Sequence, residues 1–196
     1  SSAASDVYKR QVLAVMNGKI YSAREVRKTD TQAVAPFSGE LGPLGLVDRE
    51  GVFFYREPLR RHTHSSEFAS APLSTLPRVD LCCAYAGADG ALVEAALAAG
   101  AEGIVVAALG SGNVSQELGE VLMRIASRGV PVVVSTQVGN GRASPIYRYP
   151  GGGKDLAQAG CIFADNLSPL KARVLLMVAL QCLPSRRDLA RVFAEY

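Results

Sequence analysis

From Arg78 onward, apolar and polar positions come in regular blocks. Val79–Tyr85 has the composition of a strand. Gly90–Ala99 is alanine-rich, reads as helix, and is stopped by Gly100. Gly103–Leu109 is a continuous apolar run. The segment from Gln116 to about Arg128 then places Leu118, Val121, Leu122 and Ile125 on one helical face before Gly129. Val130–Ser135 is a further apolar strand. Strands apolar on both faces need cover on both, as a parallel sheet between helices provides. Gln137–Gly160 is glycine-rich and polar, and is long enough for a functional loop or an ordered excursion. Two helices close the pattern. One opens at Ser168-Pro169, a cap followed by proline at the first helical position, and carries Leu175, Leu176, Val178 and Ala179. The other opens at Ser185 with Asp188 three residues on, close to a capping box, and buries Leu189, Val192, Phe193 and Tyr196.

Ahead of Arg78 the pattern is shorter and less regular. Val12–Met16 is a hydrophobic run that predicts a buried strand, followed by the charge-dense segment Arg24-Glu25-Val26-Arg27-Lys28-Thr29-Asp30-Thr31. A buried strand that delivers such a loop is how α/β enzymes place catalytic groups at the carboxyl ends of their strands. A parallel strand needs neighbours on both sides, so the expectation is that the chain enters a domain part-way through. Pro36, Gly39, Gly42, Pro43 and Gly45 break the next stretch, Val52–Tyr55 reads as a short strand, and Pro58–Pro77 reads as a linker. Ser1–Gln11 is small and polar, then basic. It resembles a translated adapter or assembly scar and is set aside from the fold. The expected organisation is a non-native scar over 1–11, the end of an N-terminal α/β domain over 12–57, a linker over 58–77, and a small three-layer α/β domain with a mainly parallel sheet over 78–196.

Composition narrows the partners. With 48% apolar and 20% charged residues, the balance is that of an ordinary globular chain rather than a disordered one. A net charge of +3 is too small to call for a polyanion, so no nucleic-acid partner is expected. No apolar run reaches the roughly 18 residues of a membrane span, so no membrane partner is expected either. Cytoplasmic and periplasmic or secreted locations are both compatible with the sequence. Cys82, Cys83, Cys161 and Cys182 contain no C-x-x-C spacing and read as small buried hydrophobes, with Cys82 and Cys83 pointing to opposite faces of a strand.

Several segments carry candidate chemistry. Lys28 is by spacing alone a solvated charge. A catalytic role would need carboxylates or a nucleophile beside it, and Glu25 and Asp30 are the nearest carboxylates in sequence. Gly110-Ser111-Gly112-Asn113-Val114-Ser115, between a strand and a helix, has the look of a dinucleotide-binding turn. Ser115 occupies the third glycine position, however, and Ser135-Thr136-Gln137 offers no acidic residue to a ribose. No cofactor is expected. His62-Thr63-His64 could give two metal ligands, but no third is close in sequence, and no metal is expected. Arg56, Arg60 and Arg61, interleaved with Glu57 and Glu67, read as a salt-bridged linker. Tyr85-Ala86-Gly87-Ala88-Asp89 lies where a strand meets a helix, the crevice in which open α/β sheets hold ligands; Gly87 permits close approach, and Asp89 serves as a helix N-cap.

Taken in order, these segments resemble the bacterial-type L-asparaginases of the asparaginase/glutaminase family. The matching stretches are Val15-Met16-Asn17, Arg24 to Thr29, Gly42-Pro43-Leu44-Gly45, Arg60 to Thr63, Tyr85 to Gly90, Gly100 to Val106, Val138-Gly139-Asn140-Gly141, and Asp165 to Leu176. The resemblance implies a two-domain enzyme that hydrolyses the side-chain amide of asparagine, and often of glutamine, through a threonine acyl-enzyme. It implies that 12–57 ends the N-terminal domain and 78–196 is the C-terminal domain. It also implies a small-molecule substrate and a homo-oligomer, a dimer of dimers in the full-length family. Lys28 matches the family's catalytic lysine. The Thr-Gly-Gly-Thr nucleophile turn and the Thr-Asp-Thr motif have no counterpart here, and Thr29-Asp30-Thr31 occupies a different place from the latter. The expectation is therefore an incomplete chain that is inactive alone. Gly87 falls where some members carry an asparagine in a pocket closed by a neighbouring subunit. The loop Ala143–Tyr149 lacks the glutamate of those members and carries Tyr147 and Arg148. Two other readings stay open: an asparaginase-like subunit of a transfer-RNA amidotransferase, and a non-enzymatic α/β ligand-binding module.

Overall fold

The computed structural model describes residues 11–71, 74–183 and 185–196. The reading of residues 1–11 as a scar lies, apart from Gln11, outside the described residues. The chain divides into two compact units: the residues up to Ser70 together with Tyr196, and Ala71–Glu195.

The first unit is built from short antiparallel strands. β1 (Leu13–Met16), β2 (Lys19–Ser22), β5 (Gly45–Val47) and β6 (Val52–Phe54) form one sheet in the order β1-β2-β5-β6, and β3 (Arg27–Lys28) pairs with β4 (Phe37–Ser38) in a second. The expectation of a buried strand over Val12–Met16 is corrected here. β1 pairs antiparallel with β2, Met16 opposite Lys19, and Val12, Val15 and Met16 are exposed. The cause is local. Asn17 and Gly18 both take left-handed φ, 51° and 70°, the pattern of a two-residue type I′ turn that sends the chain straight back. Buried residues of this unit include Ile20, Tyr21, Ser22 and Leu44. Gly45 is required where β5 meets β6, because a Cβ there would stand 2.1 Å from the carbonyl oxygen of Phe53.

The second unit follows the βα rhythm read from the sequence. Its elements are β7 (Val79–Cys83), α1 (Ala91–Ala98), β8 (Gly103–Ala108), α2 (Gln116–Ser127), β9 (Val132–Thr136), α3 (Gly153–Gln158), β10 (Ile162–Phe163), α4 (Pro169–Cys182), a 3₁₀ turn at Arg186–Asp188, and α5 (Leu189–Glu195). The sheet is parallel throughout, in the order β10-β9-β8-β7. Every residue of β8 and β9 is buried, as strands covered on both sides require. One face, with Cys82, Ile104, Val106, Val132 and Val134, packs against Val93, Leu118, Leu122, Ile125 and Leu156 of α1 to α3. Gly103 points to the other face, where a Cβ would meet Leu176 of α4 at 3.0 Å. Each fully buried leucine or valine in these layers contributes about 1.5–3 kcal/mol.

One local expectation is narrowed and another changes. Of the two readings of Gln137–Gly160, loop or ordered excursion, the structure shows the second, with α3 formed inside it and Leu156 fully buried. Asp89 is not the N-cap of α1. That position is Gly90 at φ 86°, and Asp89 Oδ1 accepts from the Ala91 N–H at 3.0 Å. At the other end, Ser185 Oγ accepts from the Arg187 N–H at 3.2 Å and opens a 3₁₀ turn ahead of α5. β7 is an outer strand. Beside it Arg78 Nε pairs with Asp80 at 2.8 Å, and Arg173 Nε of α4 donates to the Val79 carbonyl at 2.6 Å.

Candidate functional site

The two candidate residues fall in different units. Lys28 is exposed in β3, opposite Phe37. The strand is fixed at its entry by Ser22, whose carbonyl accepts from the N–H groups of Glu25 and Val26 at 3.1 and 2.9 Å. At its exit the Thr29 N–H donates to the Pro36 carbonyl at 2.8 Å. Asp30 is turned to its own loop: its Oδ1 accepts from the N–H groups of Gln32 and Ala33 at 2.7 and 2.8 Å. These backbone donors, Gln32 first, hold its carboxyl below the usual aspartate value. Among the described residues, neither Glu25 nor Asp30 forms an ion pair with Lys28, so its ammonium faces solvent.

Gly87 sits past the carboxyl end of β7. The Ala88 N–H donates to the Tyr85 carbonyl at 3.1 Å, closing a turn with Gly87 at its third position and φ of 82°. Glycine and asparagine suit that conformation. A Cβ on Gly87 would meet nothing within 4 Å, so the turn leaves an open approach. Ser115 holds the turn from behind. Its hydroxyl donates to the Ala88 carbonyl and accepts from the Leu118 N–H at 3.3 Å as the N-cap of α2. The residue that breaks the dinucleotide pattern thus ties the loop after β7 to the helix after β8.

Gln137, just past β9, joins the carboxyl ends of β7 and β8. Its Nε2 donates to the carbonyls of Ala84 and Ala107 at 2.6 and 2.7 Å. Thr136 Oγ1 donates to the Gly110 carbonyl at 2.6 Å. These side chains set the loops at the carboxyl edge of the sheet, where open α/β folds bind ligands. Their sequence signal was a run of polar residues directly after an apolar strand. The loop that carries Tyr147 and Arg148 is pinned by the Ala143 N–H on the Asp165 carbonyl at 2.9 Å and the Ser144 N–H on the Ser111 carbonyl at 2.8 Å. Tyr147 and Tyr149 stand half exposed, with ring centroids 6.4 Å apart.

A cavity of about 10 Å³ beside the Gly87 turn is lined by Cys82, Cys83, Tyr85, Asp89 and Leu92 among others. It has room for little more than one water. Burial, then the charge of Asp80, pushes the Cys82 thiol up, and burial raises Cys161 to about 12, so neither is a ready thiolate. His62 spends its Nδ1 on Thr63 Oγ1 at 3.0 Å, and Arg61 pairs with Glu67 at 3.6 Å. Among the described residues no group of three or more His, Cys, Asp or Glu side chains could hold a metal, and no helix is long and apolar enough to cross a membrane.

Comparison with known proteins decides the family. Residues 78–193 match the glutaminase/asparaginase C-terminal domain, and residues 1–60 match the asparaginase N-terminal domain. The chain belongs to the asparaginase/glutaminase family. Curated relatives of this asparaginase-family chain include a Deinococcus radiodurans protein named "Probable L-asparaginase", 40% identical over 95% of this chain and 56% of its own length. The L-asparaginase 2 of Escherichia coli is 35% identical over 95% of this chain and 53% of its own length. A solved structure, "Probable Cytoplasmic L-asparaginase from Campylobacter jejuni", superposes with a TM-score of 0.84 at 35% identity, covering 94% of this chain and 57% of that one. The chain spans about half the length of the curated relatives it matches. Lys28 lies within the segment matched to the N-terminal domain, and Gly87 within the segment matched to the C-terminal domain.

Proposed function

We propose that this chain is part of an L-asparaginase-type amidohydrolase that converts L-asparagine and water to L-aspartate and ammonia, and that also takes glutamine. The observation that carries the reading is relatives named L-asparaginase at 35–40% identity over 94–95% of the chain. Relatives named glutaminase-asparaginase, 32% identical in one case, support the second substrate.

In this reading a threonine outside the 196 residues attacks the side-chain carbonyl. The amide nitrogen leaves as ammonia with the proton that the hydroxyl gave up, and water then cleaves the ester. Lys28 is the lysine that assists the proton transfer. Its solvent-facing ammonium, without an ion pair to Glu25 or Asp30, leaves it available to a group supplied from elsewhere. Gly87 contributes to the pocket from a neighbouring subunit, and its open approach accommodates the substrate's α-amino and carboxylate end. The same reading assigns 12–57 and 78–196 to the two asparaginase domains and 58–77 to their connection.

The test is ammonia release from L-asparagine. The 196-residue chain alone is expected to release none. In the reading frame extended upstream to include the nucleophile, Lys28→Ala is expected to lower turnover by about 10²–10⁴-fold, the range of a lost general acid or base. Turnover by the isolated chain, or full activity of the extended Lys28→Ala variant, would overturn the proposal.

A further inference from the structure

Tyr196 belongs by its contacts to the first unit, although it directly follows α5 in sequence. Its ring packs on Phe68 with centroids 5.1 Å apart, and the Arg61 guanidinium stands 6.0 Å from the ring centroid. Its hydroxyl accepts from the Glu67 N–H at 3.1 Å and shares a hydrogen bond with Ser66 Oγ at 2.9 Å. An aromatic ring with a satisfied hydroxyl is a directional anchor, because area and hydrogen bond together leave one orientation. That anchor holds the main-chain carbonyl of Tyr196 where Arg24 Nε donates to it.

Arg24 lies in the turn that feeds β3. The Ser22 carbonyl takes the N–H groups of Glu25 and Val26, the two residues directly after Arg24, and Lys28 follows four residues after Arg24. β3 is only two residues long, Arg27 is half-buried, and Lys28 is exposed. Burial therefore does little to fix the position of Lys28. What remains is its entry turn and its pairing with β4.

We propose that Tyr196 is a positioning residue for Lys28, acting through Arg24. The inference rests on the reading of Lys28 as the catalytic lysine. The ring docks on the 61–68 segment, the carbonyl holds the Arg24 guanidinium, and the guanidinium holds the turn from which β3 leaves. Lys28 is thus placed by a residue 168 positions later in the chain.

Hydrogen exchange on the 196-residue chain tests the coupling without reference to activity. Tyr196→Ala and Arg24→Ala are each expected to speed exchange of the Val26 and Thr29 amides about tenfold or more, as local opening does. Leu122 and Val106 in the second unit keep their protection, which excludes general unfolding. The double variant is expected to add little to either single one, since both cut the same link. Tyr196→Phe keeps the ring and is expected to leave Val26 and Thr29 protected while exposing the Glu67 amide. In the turnover-competent protein, Tyr196→Ala and Arg24→Ala are expected to lower kcat with KM little changed, and Tyr196→Phe to restore it. Unchanged exchange at Val26 and Thr29, or fully additive effects, would overturn the proposal even if Lys28→Ala abolishes turnover. Conversely, an active Lys28→Ala variant with the exchange coupling intact would overturn the catalytic reading of Lys28 and with it the positioning role, leaving only a structural link.

Discussion

The two units hold themselves together in different ways. In the second, apolar runs of five or six residues lie between helices, and the strands at the centre of the sheet are buried at every position. In the first, strands of two to four residues are held by turns, single side-chain contacts and the packed rings of Phe68 and Tyr196, with Val12, Val15, Met16, Val52 and Tyr55 in solvent. Packing decides geometry where the core is deep, and individual hydrogen bonds decide it where the core is thin. The difference tells which substitutions should act through volume and which through a single atom.

The largest effect is expected from Leu122→Ala. This side chain is fully buried between α2 and the sheet, so its loss should cost about 2–5 kcal/mol, read as a shift of the denaturant midpoint. Ile20→Ala, in the thinner core of the first unit, should fall near ~2 kcal/mol, at the low end for a site that can collapse around the deletion. Equal costs would erase the contrast. A smaller effect is expected from Ser115→Ala. The variant loses the α2 cap and the donor to the Ala88 carbonyl, for about 0.5–2 kcal/mol, with faster exchange of the Leu118 amide as its local mark. Unchanged exchange at Leu118 would show that the cap is not needed.

The smallest effect is expected from Asp30. Its carboxyl is held below the usual value in the folded chain, so the two backbone bonds stabilise its loop above the ordinary aspartate range. That contribution is lost as pH falls through the lowered folded value. Asp30→Asn keeps an acceptor for Gln32 and Ala33 but removes the charge. Opening of those two amides, corrected for intrinsic exchange, should then lose its dependence on acid pH. An identical acid response in both proteins would show that the carboxylate does not hold the loop.

The same contrast explains what could be read from the sequence. Val79, Gly103–Ala108 and Val132–Ser135 announced the parallel sheet because burial on both faces writes itself as unbroken apolar runs. Leu118, Leu122 and Ile125 did the same for α2 at helical spacing. Val12–Met16 has equally apolar composition yet none of it is buried, and Val12, Val15 and Met16 are exposed. Its fate was set by Asn17-Gly18, a turn signal stronger than the run before it. The ordered excursion over Gln137–Gly160 could not be read as a helix, because glycines surround the start of α3 and intrinsic propensity argues against it there. Burial of Leu156 supplies what propensity lacks. At the candidate site, the charge-dense loop points to Lys28 and the strand–helix crevice points to Gly87, but the roles proposed for them come from the resemblance. The polar run after β9 marks Gln137, but its bonds to the Ala84 and Ala107 carbonyls, like that of Ser115 to the Ala88 carbonyl, cannot be read locally, since those partners are backbone far away in sequence.

The side chain that caps the open edge of β7 has a further consequence. An outer strand presents a row of unpaired backbone groups, and a carbonyl facing outward is an invitation to a strand from another molecule. Arg173 fills that place at Val79, and the Arg78–Asp80 pair sets two charges beside it. That edge is thereby a poorer template for intermolecular β-addition than a bare strand would be, and the protection comes from a guanidinium rather than from the packed core.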